Sequence, residues 1–350
     1  MKILLISYYF EPFEGVGAKR TSYWYKRLKE KHSVIVLTAI PQEKTNDNII
    51  YIEPIKKPTF LSKIILDEGL KWLPALKNYL RNNPESYDSI IISGGPFMQM
   101  LISKFLKSRT SAKIILDFRD PFYANPRFNT NKIKDTVKLY FQNRFLKYAD
   151  QVITVNQYCV NLIKYDNIKI IDNGFNEETL SQIPQQKTIL KKMISIGRVD
   201  SDFNIDFFNQ IIQKNTPSNF YYYGKDTDKF QNLKTSNISF PIDYQEILKE
   251  IASSEVCILF TGGHPFESTT KIFDFLALNK KILIITQGKP ETGSLNDITK
   301  EYPNIYWSGN TPEKIETQLE QIFNQPTINF DINRYSRDYG FQKLLKLLEK

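Results

Sequence analysis

Phe260-Thr-Gly-Gly-His-Pro-Phe-Glu-Ser-Thr-Thr-Lys-Ile-Phe-Asp-Phe-Leu-Ala277 carries a buried-type strand into a glycine-containing loop and out into a helix. Ser268, Thr269 and Thr270 form the helix start, Lys271 falls in its first turn, and Asp274 follows Thr270 by four residues. Phosphate at such a start gains from free backbone N–H groups and from the Lys271 charge, and Asp274 is placed to accept a ribose hydroxyl. The same residues also read as an ordinary cap, Thr269 or Thr270, with Asp274 on an exposed polar face. His264 is one of two histidines, and its place in a turn suits a structural role more than a catalytic one.

Outward from this stretch the same alternation recurs. Short β-branched runs at 2–9, 33–39, 49–53, 88–93, 113–118, 151–155 and 168–172 predict strands. Amphipathic segments at 16–31, 60–81 (broken near Pro74), 97–108, 131–148 and 157–164 predict the helices between them. Residues 1–180 thus form one doubly wound domain. The polar run Ser181-Gln-Ile-Pro-Gln-Gln-Lys187 interrupts the pattern and opens a linker over 181–191. A second domain over 192–330 has strands at 192–197, 219–223, 238–240, 256–260, 281–286 and 304–307, and helices at 204–215, 243–253, 270–279 and 311–324. Residues 331–350 end the chain as a further helix, which can pack back on the first domain. The fold class is α/β, with two Rossmann-like domains whose strand carboxyl ends face a central cleft, where open α/β sheets bind ligands.

Three more segments place charge or glycine at strand ends. In Glu11-Pro-Phe-Glu-Gly-Val-Gly-Ala-Lys-Arg20, Gly15 and Gly17 let the backbone approach a phosphate ahead of Arg20, or merely supply a turn at positive φ. In Ile114-Ile-Leu-Asp-Phe-Arg-Asp-Pro121, an acid at the strand end serves as a base or holds a sugar hydroxyl. The alternative is an Arg119 salt bridge plus a helix cap. In Ile194-Ser-Ile-Gly-Arg198, Gly197 and Arg198 suit a guanidinium over a close-lying phosphate, or a plain turn with a surface arginine. Asp200-Ser-Asp202 looks like a metal-binding Asp-x-Asp but falls where a helix needs a cap.

The 350 residues are 41% hydrophobic, enough for two cores. The excess charge of +9 lies in residues 1–180, with 27 Lys+Arg against 18 Asp+Glu, whereas residues 181–350 hold 20 of each. That field attracts a phosphorylated substrate or an anionic surface. Nucleic-acid motifs are missing, so no nucleic-acid partner is expected. No apolar run is long enough to span a membrane, and MKILLISYYF leads into acidic residues and Pro12 without a cleavage pattern, which predicts a cytoplasmic protein. Cys159 and Cys257 have no metal-ligand spacing and read as buried thiols.

Taken together these segments resemble glycosyltransferase family 4, of the GT-B fold and the bacterial cell-surface glycan type. The resemblance runs through the turn before Arg20, Asp117-Phe-Arg-Asp-Pro121 and Ala149-Asp-Gln-Val-Ile-Thr-Val155. It continues through Asp172-Asn-Gly-Phe-Asn-Glu177, Ile196-Gly-Arg198 and Thr270-Lys-Ile-Phe-Asp-Phe-Leu-Ala277, which covers nearly the whole chain. It implies a UDP- or GDP-linked sugar held mainly by the second domain as substrate, no other cofactor and no metal. Arg198 and Lys271 would bind the diphosphate, Asp274 the ribose, and Gly15 and Gly17 would face the donor phosphates, while Asn173 and Gly174 match a loop near the domain junction. Asp120 would contact the acceptor or sugar, and Glu267 and His264 the sugar.

Three features differ from the family pattern: no lysine follows Arg198 through Asp206, Glu267 stands seven rather than eight residues before Asp274, and the second acid is aspartate rather than glutamate. The implied activity is transfer of a hexose, with retention, to a glycan or lipid-linked acceptor in surface polysaccharide synthesis. A nucleotide-sugar 2-epimerase or a non-catalytic nucleotide-sugar-binding subunit are the alternatives. Leu61, Ile65, Trp72, Leu76 and Leu80 recur at near-helical spacing beside Lys63, Lys71, Lys77 and Arg81. Lys132, Lys134, Lys138, Arg144 and Lys147 line another helix. Both read either as sheet-packing helices or as a dock on an anionic membrane surface.

Overall fold

The computed structural model describes residues 1–13, 15–42, 46–56, 65–125, 132–199, 203–214, 219–231, 233, 237–240, 242–266 and 269–349. Two compact units divide the chain: Met1–Asp172 with Phe341–Lys350, and Asn173–Gly340.

Unit 1 alternates strand and helix: β1 (Lys2–Ser7), α1 (Val16–Leu28), β2 (Ser33–Thr38), β3 (Ile49–Tyr51), α2 (Gly69–Asn82) and β4 (Ser89–Ser93). A 3-10 turn at Met98–Leu101 then leads into α3 (Ile102–Lys107), followed by β5 (Lys113–Phe118), α4 (Lys132–Leu146), β6 (Gln151–Thr154), α5 (Gln157–Ile163) and β7 (Ile168–Ile170). The strands form one parallel sheet in the order β3-β2-β1-β4-β5-β6-β7. Both faces are covered, which is why the strands read as unbroken apolar runs. Leu4, Ile6, Ile90, Ile92, Ile114 and Leu116 enter one core, and Ile3, Leu5, Val34, Val36, Ile91 and Ile115 enter the other.

Unit 2 contains α6 (Glu177–Ser181), β8 (Ile189–Ile196), α7 (Asp206–Lys214), β9 (Phe220–Tyr223), β10 (Asn237–Ser239), α8 (Tyr244–Ser253) and β11 (Ser254–Thr261). It continues with α9 (Lys271–Ala277), β12 (Lys281–Thr286), α10 (Gly293–Thr299), β13 (Ile305–Gly309) and α11 (Pro312–Asn324). Its parallel sheet runs β10-β9-β8-β11-β12-β13. Val256, Ile258 and Phe260 of β11 face one core while Cys257 and Leu259 face the other. At the amino edge of the sheet, lysines satisfy helix carboxyl ends. Lys280 donates to Ala252 O and Ser254 O, and Lys281 donates to Ile322 O at 2.9 Å while pairing with Glu255. The last helix, α12 (Arg337–Leu348), starts in unit 2 and contributes Phe341 and Leu344 to a unit 1 core.

Several sequence expectations shift. The division falls after Asp172, whereas the segment 181–191 lies inside unit 2, running from the end of α6 into the first residues of β8. No break occurs at Pro74, which sits inside a continuous α2. Cys159 and Cys257 are both buried. Of the two readings of this stretch, sheet packing or a membrane dock, Trp72 and Leu76 fit packing: both are fully buried, and the Trp72 indole donates to Ile52 O at 2.9 Å. Burial on the sheet therefore takes the apolar face of α2, and Leu61 and Lys63 lie outside the described residues. On α4, by contrast, Ile133 and Tyr140 are exposed. No described helix is long and apolar enough to cross a membrane.

Candidate functional site

In unit 2, Gly197 and Arg198 leave β8 at the carboxyl edge of the sheet, and Lys271 opens α9 after the loop that follows β11. The fold brings these distant residues together: the Lys271 ammonium donates to Arg198 O, and its chain lies over Gly197. Gly197 adopts φ +71°, and a Cβ there would fall 2.7 Å from Lys271 Cε, so both backbone conformation and packing require glycine. Arg198 is exposed. The result is two cationic residues brought together at one strand end, a composition suited to a diphosphate.

Asp274 follows on the first turn of α9, and the Tyr244 hydroxyl donates to its Oδ1 at 2.7 Å. Burial, reinforced by the Asp274 carboxylate, pushes the Tyr244 phenol well above its ordinary range and keeps it a donor. Thr270 makes no side-chain cap bond, so capping does not account for it. Thr269 lies beside it, half-buried. His264 is exposed and its ring stacks on Phe266 at 5.3 Å. Glu267, together with Ser268, Asp200 and Asp202, lies outside the described residues. The Gly174 carbonyl accepts from Arg337 Nε at 2.9 Å, and the backbone of Ser336 and Arg337 lies too close to Gly174 to admit a side chain.

In unit 1 the structure reassigns Arg20. Expected beside a phosphate, it is buried instead, pairing with Asp117 at 3.3 Å and donating to Ile171 O at 2.9 Å and Asp172 O at 3.2 Å. Asp117 is wholly buried and also accepts from the Ser93 hydroxyl at 2.9 Å. The partner of Asp117 is thus Arg20 rather than Arg119, because the order β1-β4-β5 sets the end of β5 one strand away from β1, whose following helix α1 carries Arg20. Arg119 donates to the carbonyls of Gly17, Gly94 and Gly95, tying the first turn of α1 to the loop after β4. Burial lowers its pKa, against the opposing pull of Asp117 and Asp120. Asp120 itself is exposed. Gly15 is the extended residue before α1, at φ −64°, so positive φ is not its reason for being glycine. Gly17 lies within α1, where a Cβ would come 3.1 Å from Arg119 Nη1.

Sequence reasoning missed Tyr244 and the bridging role of Arg119. Nothing local marks Tyr244, which stands 30 residues from its partner.

No family model and no curated protein matches this chain. Among solved structures, it is similar to WaaG, a glycosyltransferase involved in lipopolysaccharide biosynthesis, with a TM-score of 0.62, 11% identity and 99% of each chain covered. It is similar to HepE (Alr3699) of Anabaena, solved in complex with UDP, with a TM-score of 0.66, 12% identity and 100% of each chain covered. It is also similar to the UDP-GlcNAc 2-epimerase of Methanocaldococcus jannaschii, with a TM-score of 0.61, 12% identity, and 100% of this chain and 99% of that one covered. At such identities the likeness is one of fold. The fold is GT-B, built of two Rossmann-like parallel-sheet units.

Proposed function

We propose that this chain is a glycosyltransferase of the family 4 type that moves a hexose from a nucleotide-sugar donor to a hydroxyl of a glycan or lipid-linked acceptor. The meeting of Gly197, Arg198 and Lys271 at the carboxyl edge of the unit 2 sheet carries this reading. As the glycosidic bond to the donor breaks, negative charge develops on the departing diphosphate. Two positioned cations stabilise that charge where it forms, the work a divalent metal does in other transferases. Asp274, which accepts the Tyr244 hydroxyl, is the acid that receives a ribose hydroxyl in this reading. The leaving phosphate assists the incoming hydroxyl on the same face, which gives retention without a dedicated base. Asp120, Glu267 and His264 remain the sugar and acceptor contacts of this reading.

The UDP complex of HepE supports a uridine nucleotide, and the lipopolysaccharide role of WaaG supports a surface-glycan acceptor. A cytoplasmic enzyme working on a lipid-linked acceptor would dock through α4, which exposes Ile133 and Tyr140 among Lys132, Lys134 and Arg144. Likeness to a 2-epimerase supports a second reading, in which the same site releases and re-adds the nucleotide. Turnover separates the two. Labelled UDP- and GDP-sugars incubated with the purified protein and a lipid-and-glycan extract should release nucleoside diphosphate and label the extract. Epimerised sugar formed from donor alone, or no turnover in either mixture, would contradict transfer.

A further inference from the structure

Tyr8 and Tyr9 leave β1 side by side at the carboxyl edge of the unit 1 sheet, and the Tyr9 hydroxyl donates to Glu68, the residue before α2. The Tyr9 bond measures 3.3 Å. The Tyr9 ring stacks on Phe13 with centroids 4.7 Å apart and planes 23° apart, and Phe13 is 41% exposed. Tyr9 also packs against Gly17, the residue whose carbonyl Arg119 holds. Next to Glu68, Asp67 accepts the N–H groups of Gly69, Phe97 and Met98 at 2.9, 2.8 and 3.1 Å. Those three bonds pin the start of α2 to the loop after β4, so Glu68 is presented from a fixed base.

We propose that Tyr9, Phe13 and Glu68 form a subsite for an uncharged pyranose ring of the acceptor, an inference that rests on the transferase reading above. A pyranose has one face of C–H groups and a rim of hydroxyls. The C–H face matches a flat aromatic surface, and the rim matches a carboxylate and a phenol that accept or donate hydrogen bonds. An anionic occupant would meet the Glu68 carboxylate, which repels it, while the Arg119 guanidinium is directed to three backbone carbonyls. A mere staple between β1 and α2 needs only the Tyr9 phenol and Glu68. It gives no reason for Phe13 to lie parallel to Tyr9 with two-fifths of its surface in water.

Saturation-transfer NMR with the methyl glycosides of glucose, galactose and N-acetylglucosamine tests the subsite on the full chain, with glucose 6-phosphate as the anionic arm. UDP and GDP are titrated calorimetrically into the same preparations. At least one neutral glycoside should receive saturation in the wild type and bind about tenfold more weakly in Phe13→Ala and in Glu68→Gln, as expected when a stacking face or a charged acceptor is removed. Glu68→Gln keeps the side chain's shape, so it reads recognition rather than folding. No transfer from any neutral glycoside, equal transfer in both variants, or stronger binding of glucose 6-phosphate would overturn the subsite. If neither UDP nor GDP binds while a glycoside does, the donor reading fails and the subsite stands.

Discussion

Removing the Asp117 carboxylate should destabilise unit 1 far more than any surface change. Asp117 is wholly buried, Arg20 is 7% exposed, and their closest atoms are 3.3 Å apart. Asp117→Ala leaves a guanidinium buried over the Trp24 ring and strips the Ser93 hydroxyl of its acceptor. Breaking one partner of a buried pair costs about 3–5 kcal/mol. Arg20→Ala should cost a similar amount and also frees the carbonyls of Ile171 and Asp172. The double variant should lose less than the sum of the singles, because neither charge is then left alone. Hydrogen exchange of peptides covering β1, β4 and β5 reads unit 1 without unit 2. The predicted cost corresponds to exchange faster by roughly two to three and a half orders of magnitude at residues that open only with the unit. Acceleration under tenfold in both single variants would refute the assignment of Arg20 to structure. So would a nucleotide affinity that fell with Arg20→Ala while exchange stayed slow.

Gly197→Ala should lower stability by about 1–2 kcal/mol for the left-handed backbone alone and should displace Lys271, which calorimetric titration of nucleotide would register as weaker binding. Cys257, whose thiol burial pushes up to about 12, should resist iodoacetamide at neutral pH until the chain is unfolded, as followed by intact mass. Burial raises the Asp67 carboxyl above its ordinary value of 3.8, more than its three N–H partners lower it. Its contribution to stability is therefore fully present below 3.8 and is lost as pH rises through the folded value. Melting temperatures of wild type and Asp67→Asn between about pH 3.5 and 7 should converge as pH rises, and a gap that widens would reverse the sign.

The strands were legible because burial on both faces leaves each as an unbroken run such as Ile90-Ile-Ile92, bounded by polar residues. Short elements were not. α10 offers only Leu295 and Ile298 as an apolar pair, and α6 buries nothing, so neither shows a period. Proline at 74 suggests a break, yet it removes one hydrogen bond from a helix otherwise held by Trp72, Leu76 and Leu80, and packing wins. Within the site, Gly197, Arg198 and Lys271 were readable from the ends of their own elements. Arg20 was misread because its purpose depends on Asp117, which only the β1-β4-β5 strand order brings near. Tyr244 was invisible for the same reason, its partner standing on another helix.

The central claim is that Arg198 and Lys271 together hold a nucleoside diphosphate, and isothermal titration of UDP and GDP into wild type, Arg198→Ala and Lys271→Ala tests it most directly. Removing either cation should weaken binding by about 1.5–3 kcal/mol, roughly ten- to more than a hundredfold, while the melting temperature without ligand changes little. Unaltered affinity in both folded variants, or no binding of either nucleotide to the wild type, would contradict the account.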